Sequence, residues 1–142
     1  LSLDQLGMTA EQHKLVNTLL TKTSGLMVVS GPARSGKSGT LYAMLLKLNT
    51  GKAHIVTLED YVEHALEGLT QVSVQATPGL TYADGVRAAL QHDHDVLMVS
   101  DLHEPQTAGL VIRSALTGRL ALAAMHTPDT ASTVTRLLDY GI

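Results

Sequence analysis

A chain of 142 residues, 44% hydrophobic and 16% charged, has the composition of one soluble globular domain with a single core. Its net charge of −3, with ten basic residues spread out rather than clustered, argues against a nucleic-acid or anionic-membrane partner. Zero cysteines exclude disulfides and thiolate metal sites and fit a reducing cytoplasm.

No apolar run approaches the ~20 residues that span a bilayer, and the N-terminus has no basic-then-apolar signal pattern. Thr9-Ala10-Glu11-Gln12 reads as a capping box opening a helix with Leu15, Val16, Leu19 and Leu20 on one face. Leu26–Ser30 is an apolar run of strand length, and Ser38–Leu48 is helical in pattern, stopped by Asn49-Thr50-Gly51. Ala53–Leu58 is a strand that delivers Glu59 and Asp60 to its C-terminal end. Val72–Val74 alternates as a short strand, and Thr77-Pro78-Gly79 is a turn. A helix over Ala83–Gln91 precedes the strand Val96–Ser100. Pro105 suits a first helical position, the helix running to Thr117 with Gly118 as its stop. A strand at Leu120–Met125 and a helix over Asp129–Tyr140 complete the chain. With four Tyr and no Phe or Trp, the core must come from Leu, Val, Ile, Ala and Met. Apolar strands alternating with helices predict a three-layer α/β fold with a mostly parallel sheet, in one domain over residues 1–142.

Gly31-Pro32-Ala33-Arg34-Ser35-Gly36-Lys37-Ser38 matches G-x-x-x-x-G-K-[ST], between a strand and a helix where that motif works. Its glycines let the backbone turn N–H groups onto phosphate oxygens, and the following helix adds its positive end. Lys37 would meet the β- and γ-phosphates of a nucleoside triphosphate, ATP, and the Ser38 hydroxyl would ligate Mg²⁺. Gly39 and Thr40, in the first turn of the helix, complete the nucleotide-binding set.

Hydrolysis needs a polarised water and a cation, and the carboxyl ends of parallel strands are where such groups belong. Glu59, Asp60 and Glu63 follow one strand and Asp101 follows another. Each has a plainer alternative: Glu63 as a solvated helix face four residues after Glu59, Asp101 as the N-cap of the next helix.

In colinear order along essentially the whole chain, the motifs resemble those of the secretion ATPases of type II secretion and type IV pilus assembly. They are the phosphate loop with Thr40-Leu41-Tyr42-Ala43, Thr57-Leu58-Glu59-Asp60-Tyr61-Val62-Glu63, and Gly79-Leu80-Thr81-Tyr82 with Gly85-Val86-Arg87. Asp101-Leu102-His103-Glu104 with Thr107-Ala108, Thr117-Gly118, His126-Thr127 and Arg136–Ile142 follow. The resemblance implies a RecA-like ATPase using ATP and Mg²⁺ in a homohexameric ring, cytoplasmic but peripheral to the inner membrane. Such a ring drives assembly or retraction of a pilus-like fibre through an inner-membrane platform protein. It makes Glu59 the carboxylate that activates water, Glu63 a second acid, Asp101 the Walker B acid near Mg²⁺, and His126 a γ-phosphate sensor.

Departures from the family pattern cluster at the catalytic edge. Asp101 stands for Glu, one methylene shorter, with Ser100 for Gly before it and His103-Glu104 for Arg-Asp after it. Gln106 stands for Glu, Tyr61 for Pro, Arg119 for the first histidine of the histidine box, and Gln91–Asp95 for an arginine-bearing segment. The family's N-terminal arginine-donating domain and tetracysteine zinc module have no counterpart here, so an excised or incomplete domain that hydrolyses slowly is expected. ATP binding is therefore the firm expectation. Turnover is set against the alternative of a non-hydrolysing scaffold or regulatory subunit, and a P-loop kinase is disfavoured by the lack of an acceptor site or lid. His92 and His94 are read as a polar loop rather than a metal cluster, and Met27, Met44, Met98 and Met125 as core fillers. No chemistry is assigned to His13, His54 or His64.

Overall fold

The computed structural model describes residues 1–142. Thr9 caps the first helix as its sequence demands: its hydroxyl accepts from the Gln12 N–H at 3.2 Å, and Gln12 Oε1 accepts from the Thr9 N–H at 2.9 Å. The elements run α1 (Ala10–Leu20), β1 (Gly25–Ser30), α2 (Lys37–Leu48), β2 (Ile55–Glu59), β3 (Thr70–Ser73), α3 (Tyr82–Gln91), β4 (Val96–Val99), α4 (Pro105–Leu116), β5 (Leu120–Met125) and α5 (Thr130–Asp139). A short 3-10 turn at Leu3–Gln5, with no apolar period to announce it, precedes them and buries Leu3.

All strand pairs are parallel, in the order β1-β5-β4-β2-β3. The continuous apolar strands are explained by burial on both faces. In β5, Leu120, Leu122 and Ala124 enter one core with Leu41, Tyr42, Met44 and Leu45 of α2, while Ala121, Ala123 and Met125 enter the other with α3 and α4. β4 divides likewise, Val96 and Met98 against Leu97 and Val99. Each fully buried Leu or Val removes enough apolar surface from water to contribute ~1.5–3 kcal/mol. α3 lies so close to β2 that a Cβ on Gly85 would come within 2.8 Å of Leu58 Cδ2. β1 forms one edge of the sheet and is half-buried along its whole length, whereas β5 beside it is fully buried.

Boundaries move at a few points. β2 extends through Glu59 because Leu58 and Glu59 pair with Val72 and Ser73 of β3. β3 itself starts at Thr70, earlier than the alternation suggested, and Val74 lies past its end, though its N–H still donates to the Glu59 carbonyl at 2.7 Å. His94 lies on the expected loop between α3 and β4, but its ring is buried. It is 5% exposed, its Nδ1 lies 2.7 Å from the Ala89 carbonyl at the end of α3, and its Nε2 lies 3.5 Å from Ser114 Oγ on α4. Burial lowers its pKa below the usual 6.5.

Candidate nucleotide site

The loop between β1 and α2 folds back on itself. Gly31 donates to the Met125 carbonyl at 3.3 Å, which moors the loop to β5. A Cβ on Gly31 would lie 2.5 Å from Ser35 Oγ, so a side chain there would push the Ser35 hydroxyl out of its place in the loop. Ser35 in turn donates to the Pro32 carbonyl at 2.8 Å. Arg34 and Gly36 take left-handed backbone angles, φ +59° and +94°. Lys37 opens α2, and its side chain curls inward, 8% exposed, to donate to the carbonyls of Gly31 at 2.9 Å and Pro32 at 2.5 Å. The ammonium is therefore held inside the loop by the loop's own carbonyls.

Across the sheet's upper edge, Ile55, Thr57 and Glu59 share one face of β2 by strand alternation, the face that α2 covers. Glu59 is 2% exposed, and both carboxylate oxygens are engaged. Tyr42 of α2 donates a short hydrogen bond to Oε1, while Oε2 accepts from the Thr57 hydroxyl at 2.7 Å and the Gln71 amide at 3.3 Å. The Tyr42 phenol is pushed up to about 12 by burial and then by the neighbouring carboxylate, so it remains a donor. Gln71 also donates to the His64 carbonyl at 2.9 Å and accepts from the Leu66 N–H at 2.7 Å, tying the segment after Glu59 to β3.

A second network lies beside the first. Tyr82, at the start of α3, donates to Asp60 Oδ1 at 2.9 Å and lies 2.9 Å from Ser100 Oγ, with its pKa raised chiefly by burial. Asp101 follows β4 with Oδ2 3.1 Å from His103 Nδ1 and Oδ1 4.0 Å from His126 Nε2. Asp101 does not cap α4: the N-cap is Glu104, with Pro105 at the first helical position. Glu63 is not on a helix either; it is exposed on the non-helical segment between β2 and β3, because Gln71 holds that segment as an irregular loop.

These groups meet in one cleft of about 470 Å³, lined by the loop from Arg34 to Gly39 and by Glu59, Asp60, Glu63, Asp101 and His126. Gly31, Pro32, Ala33 and Thr40 do not line it; Gly31 supports the loop from beneath, and the Thr40 hydroxyl bonds back to the Gly36 carbonyl at 3.0 Å within α2. Tyr42, Thr57, Tyr82 and Ser100 stand in the motifs with no role assigned from sequence, and Gln71 was not singled out; the structure places all five around the acidic groups. The available signal was a hydroxyl on an otherwise apolar face, as at Tyr42 in α2 and Thr57 in β2.

The cleft's donor set suits a hard divalent cation. Asp101 Oδ1 is a buried carboxylate oxygen without a hydrogen-bond partner, and Ser38 presents a hydroxyl to the same cleft. No group of three or more His, Asp or Glu side chains is gathered to hold a metal alone. That matches Mg²⁺, which takes one or two protein oxygens and completes its shell with phosphate and water.

The family described as type II/IV secretion system protein matches residues 1–142 of the chain. This chain belongs to that family. Among secretion-system relatives, it is 43% identical over 142 residues to the putative type II secretion system protein E of Escherichia coli (strain K12), covering 100% of this chain and 29% of that protein. It is 41% identical to the type II secretion system ATPase E of Vibrio cholerae over 100% of this chain and 28% of that one. The crystal structure of the pilus retraction motor PilT with bound ADP superposes with a TM-score of 0.87 at 32% identity, over 98% of this chain and 40% of PilT. The ATPase DotB of Legionella pneumophila, 22% identical, shares the fold with a TM-score of 0.85 over 99% of this chain and 39% of DotB. The chain thus spans less than a third of the length of these two secretion relatives. No helix in this secretion-family chain is long and apolar enough to cross a membrane.

Proposed function

We propose that this chain is the ATP-binding core of a hexameric secretion or type IV pilus assembly motor, coupling ATP hydrolysis to fibre assembly or protein export. The observation that carries the reading is the convergence of the Lys37 loop, Glu59 and Asp101 on one cleft at the carboxyl ends of parallel strands. Backbone N–H groups from Arg34 to Ser38, with Gly31, Pro32 and Ala33 shaping the turn, would hold the β- and γ-phosphates. The Lys37 ammonium exchanges its carbonyl partners for phosphate oxygens; Gly39 and Thr40 seat the start of α2 beneath them. Ser38 and Asp101 would hold Mg²⁺, which would supply positive charge against the charge that builds on the phosphate oxygens. Glu59 orients the attacking water and takes its proton, with Glu63 as a second acid at the mouth and His126 facing the γ-phosphate side. The intact protein would act as a homo-oligomer at the inner-membrane face, against a platform protein of its machine.

A second reading, a nucleotide-binding subunit that does not hydrolyse, is favoured by one observation. Asp101, one methylene shorter than the family's Glu, has Oδ2 3.1 Å from His103 Nδ1, which leaves one carboxylate oxygen free to serve a cation. Steady-state ATPase activity of the full-length protein separates the two. The motor reading expects Glu59→Gln to abolish turnover while ATP still binds. Wild-type turnover no faster than Glu59→Gln would leave the scaffold reading standing.

A further inference from the structure

Arg34 is the one non-glycine residue in the chain with a left-handed backbone, at φ +59°. An arginine there crowds its Cβ against the backbone, a cost that glycine would not incur. Nothing local compensates for it. The exposed guanidinium makes no hydrogen bond and no ion pair, although acidic groups stand elsewhere in the same cleft. Outliers of this kind persist at sites where the side chain has a task.

Charge says what the task is. Among the residues lining the cleft, Arg34 and Lys37 are the only lysine or arginine, against Glu59, Asp60, Glu63 and Asp101. Lys37 is buried and committed to the loop's own carbonyls, so Arg34 is the sole free fixed cation at the mouth. A polyphosphate entering this cleft meets four carboxylates, and Arg34 is the exposed cation placed to receive it.

We propose that the Arg34 guanidinium pairs directly with the phosphate tail of the nucleotide bound to its own chain. It is a second cationic ligand beside Lys37, and it sets affinity rather than merely shaping the loop. This rests on the cleft being the ATP site. A guanidinium presents two parallel N–H donors to phosphate oxygens, and a phosphate contact recovers what the backbone loses.

The test measures MgATP binding and the thermal midpoint of the nucleotide-free protein for wild type, Arg34→Gly, Arg34→Ala, Arg34→Lys and Lys37→Ala. Arg34→Gly should bind MgATP about tenfold more weakly, yet raise the nucleotide-free midpoint by about 3 °C as the strained backbone is relieved. Arg34→Ala should lose the same affinity without that gain, and Arg34→Lys, which keeps the charge but not the paired donors, should bind no more tightly than wild type. If Lys37→Ala loses ATP binding while Arg34→Gly and Arg34→Ala bind like wild type, the ATP site stands and the Arg34 pairing is overturned. Arg34→Lys binding MgATP more tightly than wild type would overturn it too. Lys37→Ala binding like wild type would instead remove the ATP-site reading itself.

Discussion

Tyr42 on α2 donates a hydrogen bond to the buried carboxylate of Glu59 on β2, joining the helix that begins at the phosphate loop to the residue proposed as general base. The bond places Oε1 while Thr57 and Gln71 place Oε2, so the carboxylate has no free rotation. Phe at 42 keeps the ring in its pocket and removes only the donor. Tyr42→Phe should lower kcat by about tenfold with KM for ATP nearly unchanged, because it misaligns the base without touching the phosphate site. Equal losses in both parameters would assign Tyr42 a purely structural role.

Asp101 offers the cleft its unpartnered carboxylate oxygen. Asp101→Asn keeps the shape and removes the charge. The Mg²⁺ concentration that half-maximally tightens ATP binding should rise by about tenfold or more, while ATP binding without Mg²⁺ stays the same or improves. Titration of nucleotide binding with Mg²⁺ reads both outcomes.

The approach of α3 to β2 leaves no room for a side chain on Gly85, where a Cβ would meet Leu58 at 2.8 Å. Gly85→Ala should destabilise the fold by about 1–3 kcal/mol, since overpacking outweighs the helix-propensity gain. Denaturant midpoints check this. An unchanged or raised midpoint would show that α3 can shift away from Leu58.

His94 makes stability depend on pH. Its folded-state pKa lies below 6.5 because burial disfavours the charged ring, with Arg119 and His54 adding smaller contributions of the same sign and the bonds to His92 and Ala89 opposing them. The unfolded chain therefore takes up this proton first as pH falls. The stabilisation is fully present above pH 6.5 and is lost as pH falls through 6.5 toward the lowered folded value. The wild-type slope of stability against pH in that window should exceed that of His94→Gln by up to about 1.4 kcal/mol per pH unit. Equal slopes in the two proteins would contradict the assignment.

Local chemistry was readable along the chain, and contacts at long sequence separation were not. β5 falls at Leu120–Met125 as its apolar run predicts, and the Thr9-Gln12 capping box forms, because each depends on neighbours within a few residues. The phosphate loop and the acidic groups at strand ends could be placed in one cleft because the parallel topology fixes which ends meet. The alternative of Asp101 as a helix cap failed because Pro105 sets the start of α4 and makes Glu104 its N-cap. His94 reads as part of a polar loop with His92, Asp93 and Asp95, and nothing local shows that its ring turns under α3. Tyr42 and Glu59 are 17 residues apart and Tyr82 and Asp60 are 22 apart, so neither pair leaves a periodic trace.

One amide group, that of Gln71, holds Glu59 Oε2, the His64 carbonyl and the Leu66 N–H, so the proposed base and the exposed loop beyond it are tied to one side chain. Tyr61 and Glu63 stand on that loop, open to solvent at the lip of the cleft. A body pressing on the loop would strain the amide and loosen one of the three bonds that restrain Glu59. In the proposed motor, contact at a few surface residues would therefore reach Glu59 through the Gln71 amide rather than through the phosphates.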